Sequence, residues 1–162
     1  MKPIKIGIAG MGTVASGVVK VLERNQAEIT RRAGRGIEVA VVCERTPGRA
    51  AHLEERGVEV INDLSQLASH PDVDIVVELI GGYGGYEPAR SFVLEAIANG
   101  KHVVTANKAL LAEHGNEIFQ AAQDKGVTVA FEAAVAGGIP VIKALREGLS
   151  ANRIEWIAGI IN

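Results

Sequence analysis

Residues 4–19 read "IKIGIAGMGTVASGVV", and the order of residue types along them decides the kind of fold the chain adopts. The short apolar run up to Gly10 has the composition of a strand. From Thr13 onward apolar residues recur at helical spacing, which predicts a helix with Val14, Val18, Val21 and Leu22 on one face. Between the two lies Gly10-Met11-Gly12-Thr13-Val14-Ala15, a match to G-x-G-x-x-G/A with alanine in the last place. In a strand–turn–helix setting the first glycine permits the tight turn and the second lets a pyrophosphate approach the backbone. The small third residue lets helix and strand pack closely. The helix N-terminus then offers free N–H groups and a positive dipole end to phosphates. The pattern is weak when alone; its place after the first strand of an alternating chain makes dinucleotide binding the better reading. Gly17 extends the small-residue face and reads as a close-packing position.

Moving outward, short apolar runs alternate with helical patterns. "IEVAVVCE" predicts a second strand, "GRAAHLEERG" a helix closed by Gly57, and "VEVI" a third strand. A short helix follows in "NDLSQLASHP", capped by Asn62 or Asp63 and ended by Pro71. "VDIVVELI" is a fourth strand whose nearly unbroken apolar character implies burial on both faces. "EPARSFVLEAIANG" is a helix with proline in its first turn, "KHVVTA" a fifth strand, "NKALLAEHGNEIFQAAQDKG" one or two helices and "VTVAFEA" a sixth strand. "AVAGGIPVIKALREGLS" then turns into a helix, and "NRIEWIAGIIN" is strand-like. The expected fold is α/β: a Rossmann-type, doubly wound, mainly parallel sheet over residues 1–138. Residues 139–162 read as a hinge helix and the first strand of a second, substrate domain.

Composition closes other routes. A chain of 162 residues at 48% hydrophobic composition supports one substantial core. Its 17 basic and 19 acidic residues, for a net charge of −2, give no field for nucleic acid or an anionic membrane. The single cysteine, Cys43, excludes an internal disulfide and reads as a small buried hydrophobe in a reducing compartment. No apolar run is long enough to span a bilayer and no cleavable signal pattern opens the chain, so a cytoplasmic location is expected.

In open parallel sheets, ligands bind beyond the carboxyl ends of the strands. The segments "GMGT", "CERT", "IGGYGGYEPA", "TANKALL" and "AVAGGIP" are therefore expected to share one crevice. At the end of strand two, Glu44 is suited to accept a bond from a ribose 2′-OH, whereas Arg45 is suited to hold a 2′-phosphate. The two point to different cofactors, NAD and NADP. Lys108 stands at a helix start, where a lysine is ordinarily solvated; near a cofactor it could instead polarise a carbonyl or relay a proton. Glu78, inside strand four, reads as a buried carboxylate satisfied by backbone donors. His52, His70, His102 and His114 show no metal-ligand spacing.

The strings "GMGTVASGVV", "VDIVVELIGG", "GKHVVTANKALLAEHG", "FEAAVAGGIPVIKALRE" and "NRIEWIAGIIN" together resemble the nucleotide-binding portion of homoserine dehydrogenase, from end to end of the chain. The resemblance implies an NAD(P)-dependent oxidoreductase that interconverts aspartate 4-semialdehyde and homoserine, in threonine, methionine and isoleucine biosynthesis, and works as a homodimer when whole. It implies cofactor contacts at Gly10, Gly12, Thr13, Val14 and Gly81, an arginine facing the cofactor phosphate at Arg45, and an active-site lysine at Lys108. It also implies a sodium ion held at Glu132, Val135, Gly137 and Ile139, mostly through main-chain oxygens, which suit a hard cation. "GGYGGYEPA" departs from the family in its tandem Gly-Gly-Tyr, and Tyr83 and Tyr86 read equally as loop packing or as substrate contacts. The catalytic domain of the family would lie beyond "GIIN", so the chain is expected to bind cofactor without turnover. Two rivals are a non-catalytic NAD(P)H-sensing module and another amino-acid or aldehyde oxidoreductase.

Overall fold

The computed structural model describes residues 1–80 and 86–160. Six parallel strands make one sheet: β1 (Ile4–Ala9), β2 (Ile37–Cys43), β3 (Glu59–Ile61), β4 (Ile75–Glu78), β5 (His102–Thr105) and β6 (Val129–Ala130). Their spatial order is β3-β2-β1-β4-β5-β6, with the reversal between β1 and β4. This is the doubly wound order of dinucleotide-binding folds. Neighbouring residues alternate between the two faces, as the period of a strand requires. Val41, Cys43 and Val76 enter one core; Val42 and Val77 enter the other.

The first core packs α4 (Leu64–Ala68), α5 (Glu87–Ala98) and α6 (Lys108–Lys125) around Phe92, Val93, Leu110 and Ile118. The second packs α1 (Thr13–Arg24) and α3 (Ala51–Glu54) through Ala15, Val19 and Leu53, and α2 (Gln26–Ala33) follows α1 directly. Asp63 and Pro88 stand at helix starts as the sequence expects, and Asn107 supplies a further cap. The Asp63 side chain accepts from the Ser65 N–H at 2.9 Å, Asn107 accepts from the Leu110 N–H at 3.0 Å, and Pro88 lies in the first turn of α5. The stretch after Asn107 is a single helix of 18 residues that tolerates Gly115 within it.

Four expectations need correction. The buried face of α1 is Ala15, Val19 and the flanking Leu22, whereas Val14 and Val21 are 57% and 45% exposed. The glycine turn delivers the helix rotated by about one position, so Val14 faces away from the core. Gly17 is not a packing position: a Cβ there would meet nothing within 4 Å. Strand six shortens to two residues, followed by a 3₁₀ turn at Glu132–Ala134. Finally, residues 153–160 form no strand. They belong to no ladder of the sheet and leave Trp156 78% and Ile157 69% exposed, since a strand exists only where a partner takes up its N–H and C=O groups. Before them, α7 (Val141–Lys143) runs into a π turn at Ala144–Gly148.

Leu67 is fully buried under β1, with its Cδ1 2.6 Å from where a Cβ on Gly7 would sit. Leu67→Ala is expected to cost about 2–5 kcal/mol in urea unfolding. Gly17→Ala should raise stability by about 0.5–1 kcal/mol, because it removes unfolded-chain entropy at an open helical position.

Candidate functional site

The ladders continue past the strands and bring their ends side by side. The Gly10 N–H donates to the Cys43 carbonyl at 2.9 Å, the Leu79 N–H to Ala9 at 3.0 Å and the Glu44 N–H to Ile61 at 2.9 Å. Beyond these ends lies a cleft of about 650 Å³ whose walls include Gly10 to Val14, Glu44 to Thr46, Arg49, Leu79 and Ile80. The two motif glycines do different work. Gly10 has φ +88°, and a Cβ on it would lie 3.0 Å from the Leu79 carbonyl oxygen, so the turn itself requires glycine. Gly12 has φ −83°, which any residue adopts, and a Cβ there would meet no protein atom within 4 Å. The fold does not need a glycine at Gly12; a ligand drawn up to the backbone does. No described side chain caps α1, and its first turn carries no acidic residue, so the helix end stays electropositive toward the cleft. A dinucleotide pyrophosphate fits this open cradle.

Glu44 is not free at the rim. One carboxylate oxygen accepts from the Met11 N–H at 2.9 Å and the other from the Thr46 N–H at 2.7 Å, while Arg49 approaches to 3.8 Å. Burial pushes its pKa upward, but the N–H groups of Thr46 and Met11, the Thr46 side chain and Arg49 outweigh burial and hold it below the usual glutamate value of 4.5. Glu44 therefore ties the end of β2 to the glycine turn. Exposed Arg45 lines the cleft, and so does Arg49, which the sequence reading passed over although it stands four residues further along the same strand-end loop. Cys43 is buried, with its thiol pushed up to about 11 by burial and by the carboxylates of Asp63 and Glu44, which makes it inert.

Of the five segments expected to share the crevice, "GMGT", "CERT" and the described part of the loop after β4 line it. Lys108 and the "AVAGGIP" loop are not among its walls. Lys108 is exposed, the first residue of α6 at the same carboxyl edge. The link between it and the cleft is Glu78, which is completely buried. Its carboxylate accepts from the Ile80 N–H at 2.8 Å and from the Thr105 hydroxyl at 2.5 Å, and Thr105 Oγ1 accepts from the Asn107 N–H at 3.0 Å. Burial pushes the Glu78 pKa up, opposed by Thr105, the Ile80 N–H and the Asn107 side chain.

Gly81 and Tyr83 lie outside the described residues. Tyr86 packs edge-on against His114, with ring centroids 5.0 Å apart. The Glu132 carboxylate caps α7, accepting from the Ile142 and Lys143 N–H groups at 3.0 and 2.9 Å, and Ala136 and Gly137 bend the following loop with φ of 54° and 58°. Among the described residues no three His, Cys, Asp or Glu side chains cluster to hold a metal, and no helix is long and apolar enough to cross a membrane.

A second cavity, of about 600 Å³, lies at the amino edge of the sheet near Asp74, Lys101 and His102. Apart from exposed Arg35, its charged groups are already committed. The Lys101 ammonium donates to the carbonyls of His70 and Val73, Asp74 accepts from the Lys5 N–H, and His102 Nδ1 accepts from the Thr128 N–H. Nothing there converges on a ligand.

Comparison with known proteins places the chain in a family. Residues 10–132 match the family described as homoserine dehydrogenase, NAD binding domain. The chain is 62% identical over its whole length to a homoserine dehydrogenase of Pseudomonas aeruginosa, and 54% identical to that of Neisseria gonorrhoeae. It spans 36% of the length of each, about a third of the curated relatives it matches. The crystal structure of a homoserine dehydrogenase from Thiobacillus denitrificans superposes with a TM-score of 0.87 at 60% identity, over 96% of this chain and 35% of that one. The Staphylococcus aureus enzyme gives 0.74 at 36% identity, over 86% and 34%.

The glycines separate under substitution. Gly10→Ala should cost about 1–3 kcal/mol of stability through its left-handed backbone. Gly12→Ala should leave stability within about 0.5 kcal/mol and weaken dinucleotide binding about tenfold or more, seen by calorimetry. Because the Glu44 pKa is lowered by folding, its contribution is full above the unfolded value of 4.5 and is lost as pH falls through the folded one. The stability gap between the parent and Glu44→Gln should therefore be widest at neutral pH and close on acidification, as urea midpoints would show.

Proposed function

Because the chain belongs to the homoserine dehydrogenase family, whose NAD-binding domain it matches, we propose that it is the cofactor-binding part of an enzyme that reduces aspartate 4-semialdehyde to homoserine. The observation that carries this reading is the cleft where the open position over Gly12 meets the uncapped start of α1 and two rim arginines. Gly10, Gly12, Thr13 and Val14 would receive the pyrophosphate, and Gly81 is carried over from the family resemblance as a further cofactor contact. Each Glu44 oxygen already accepts a main-chain N–H, and Arg45 and Arg49 at the same rim offer donors for a 2′-phosphate. NADPH is thus favoured over NADH.

When bound, the nicotinamide supplies the hydride that reduces an aldehyde carbon. Lys108 Nζ hydrogen-bonds the aldehyde oxygen and gives up a proton as alkoxide charge develops there. A sodium ion held by main-chain oxygens of Glu132, Val135, Gly137 and Ile139 would stiffen the bend after β6. The left-handed Ala136 and Gly137 support this assignment, and the Glu132 carboxylate is already spent on α7. The division into residues 1–138 and 139–162 follows the same reading, as do a homodimeric whole enzyme, a cytoplasmic location and a role in threonine, methionine and isoleucine biosynthesis.

Parallel calorimetric titration of this chain with NADPH and NADH tests the reading. NADPH should bind at least about tenfold more tightly, Arg45→Ala and Arg49→Ala should each erode that preference, and homoserine should not be oxidised. Equal affinities would discard the arginine assignment. Absence of binding by either would discard the cleft.

A further inference from the structure

We propose that Glu78 is a positioning residue, holding, through the Thr105 hydroxyl and the Asn107 main-chain N–H, the turn from which Lys108 emerges. The inference rests on the role given to Lys108 above and goes beyond it to what places that lysine. Packing does not explain a carboxylate here. Glu78 follows Val76 and Val77 in a strand buried on both faces, is itself 0% exposed, and stands in register with Thr105, which is 1% exposed. Burying a charge is costly unless it is fully hydrogen-bonded, and an apolar residue would serve the core at less cost.

The bonds around Glu78 run in one direction. The Asn107 N–H donates to Thr105 Oγ1 at 3.0 Å, which leaves the Thr105 proton for the carboxylate at 2.5 Å. The other carboxylate oxygen accepts from the Ile80 N–H at 2.8 Å, and Ile80 is a wall of the cofactor cleft. Asn107, held at its N–H, caps α6 through its own side chain at 3.0 Å, and Lys108 is the next residue. One buried carboxylate thereby couples the cleft wall to the lysine turn, each bond accepting only in that sense.

The test uses the full-length dehydrogenase that carries this chain, with Thr105→Val, Thr105→Ser and Glu78→Gln compared with the parent. The readouts are kcat, KM for homoserine, Kd for NADPH, and acetylation of Lys108 by acetic anhydride relative to exposed Lys125. Thr105→Val and Glu78→Gln should each lower kcat about tenfold or more, since small misplacements at a reacting group carry penalties of that order. KM and Kd should stay close to the parent, Lys108 labelling should change relative to Lys125, and Thr105→Ser should restore both kcat and labelling. Folded valine and glutamine variants with the parent kcat and labelling would overturn the proposal. So would failure of both to fold while Thr105→Ser folds, since the network would then serve stability alone. If one fails to fold, the other decides. Lys108→Ala with undiminished turnover would instead sink the role of the lysine, leaving labelling in the Thr105 variants to judge the positioning claim separately.

Discussion

Gly10 passes so close to the Leu79 carbonyl that a single added carbon would collide with it, and this contact between the ends of β1 and β4 holds open everything functional in the domain. It falls at the one place where the winding of the sheet reverses. Chains leaving β1 and β4 there diverge toward opposite faces, and the gap between them is the cleft. Were the Gly10 turn wider, α1, which starts just after Gly12, would begin farther from the sheet.

Two carboxylates at the same edge stabilise that arrangement in different ways. Glu44 lies at the rim, where two main-chain N–H groups and a nearby arginine favour its charged form. Glu78 lies inside, where loss of water works against the charge and its few bonds only partly offset that loss. The first ties the end of β2 to the glycine turn. The second connects the cleft wall to the start of α6. In both cases a side chain satisfies N–H groups just past a strand end, at Met11 and Thr46 for Glu44 and at Ile80 for Glu78.

Much of this was legible in the residues. Strand identities, the parallel architecture, the glycine turn, the Asp63 cap and the inert Cys43 follow from periodicity and local chemistry, each of which acts over a few positions. The errors share a physical origin as well. Which face of α1 is buried depends on the angle at which the glycine turn releases it, so Ala15 and Val19 took the place expected for Val14 and Val18. The run after Asn152 has the composition of a strand, but strand formation is decided by a partner, not by composition. The bond from the Met11 N–H to Glu44 spans 33 residues and could not be read locally. The pairing of Glu78 with Thr105 is likewise a matter of register between β4 and β5; a lone carboxylate in an apolar strand was the signal, and its partner could not be named without the sheet.

The central claim is that the carboxyl edge, at the Gly10 turn, receives the dinucleotide. Backbone amide shifts of the isotopically labelled chain, followed by NMR during NADPH titration, test it most directly. The account requires the largest changes at Gly12, Thr13, Val14 and Arg45, with Lys101 to Val104 unmoved. Changes concentrated at the amino edge around Lys101 and Thr128, with the glycine turn silent, would contradict it.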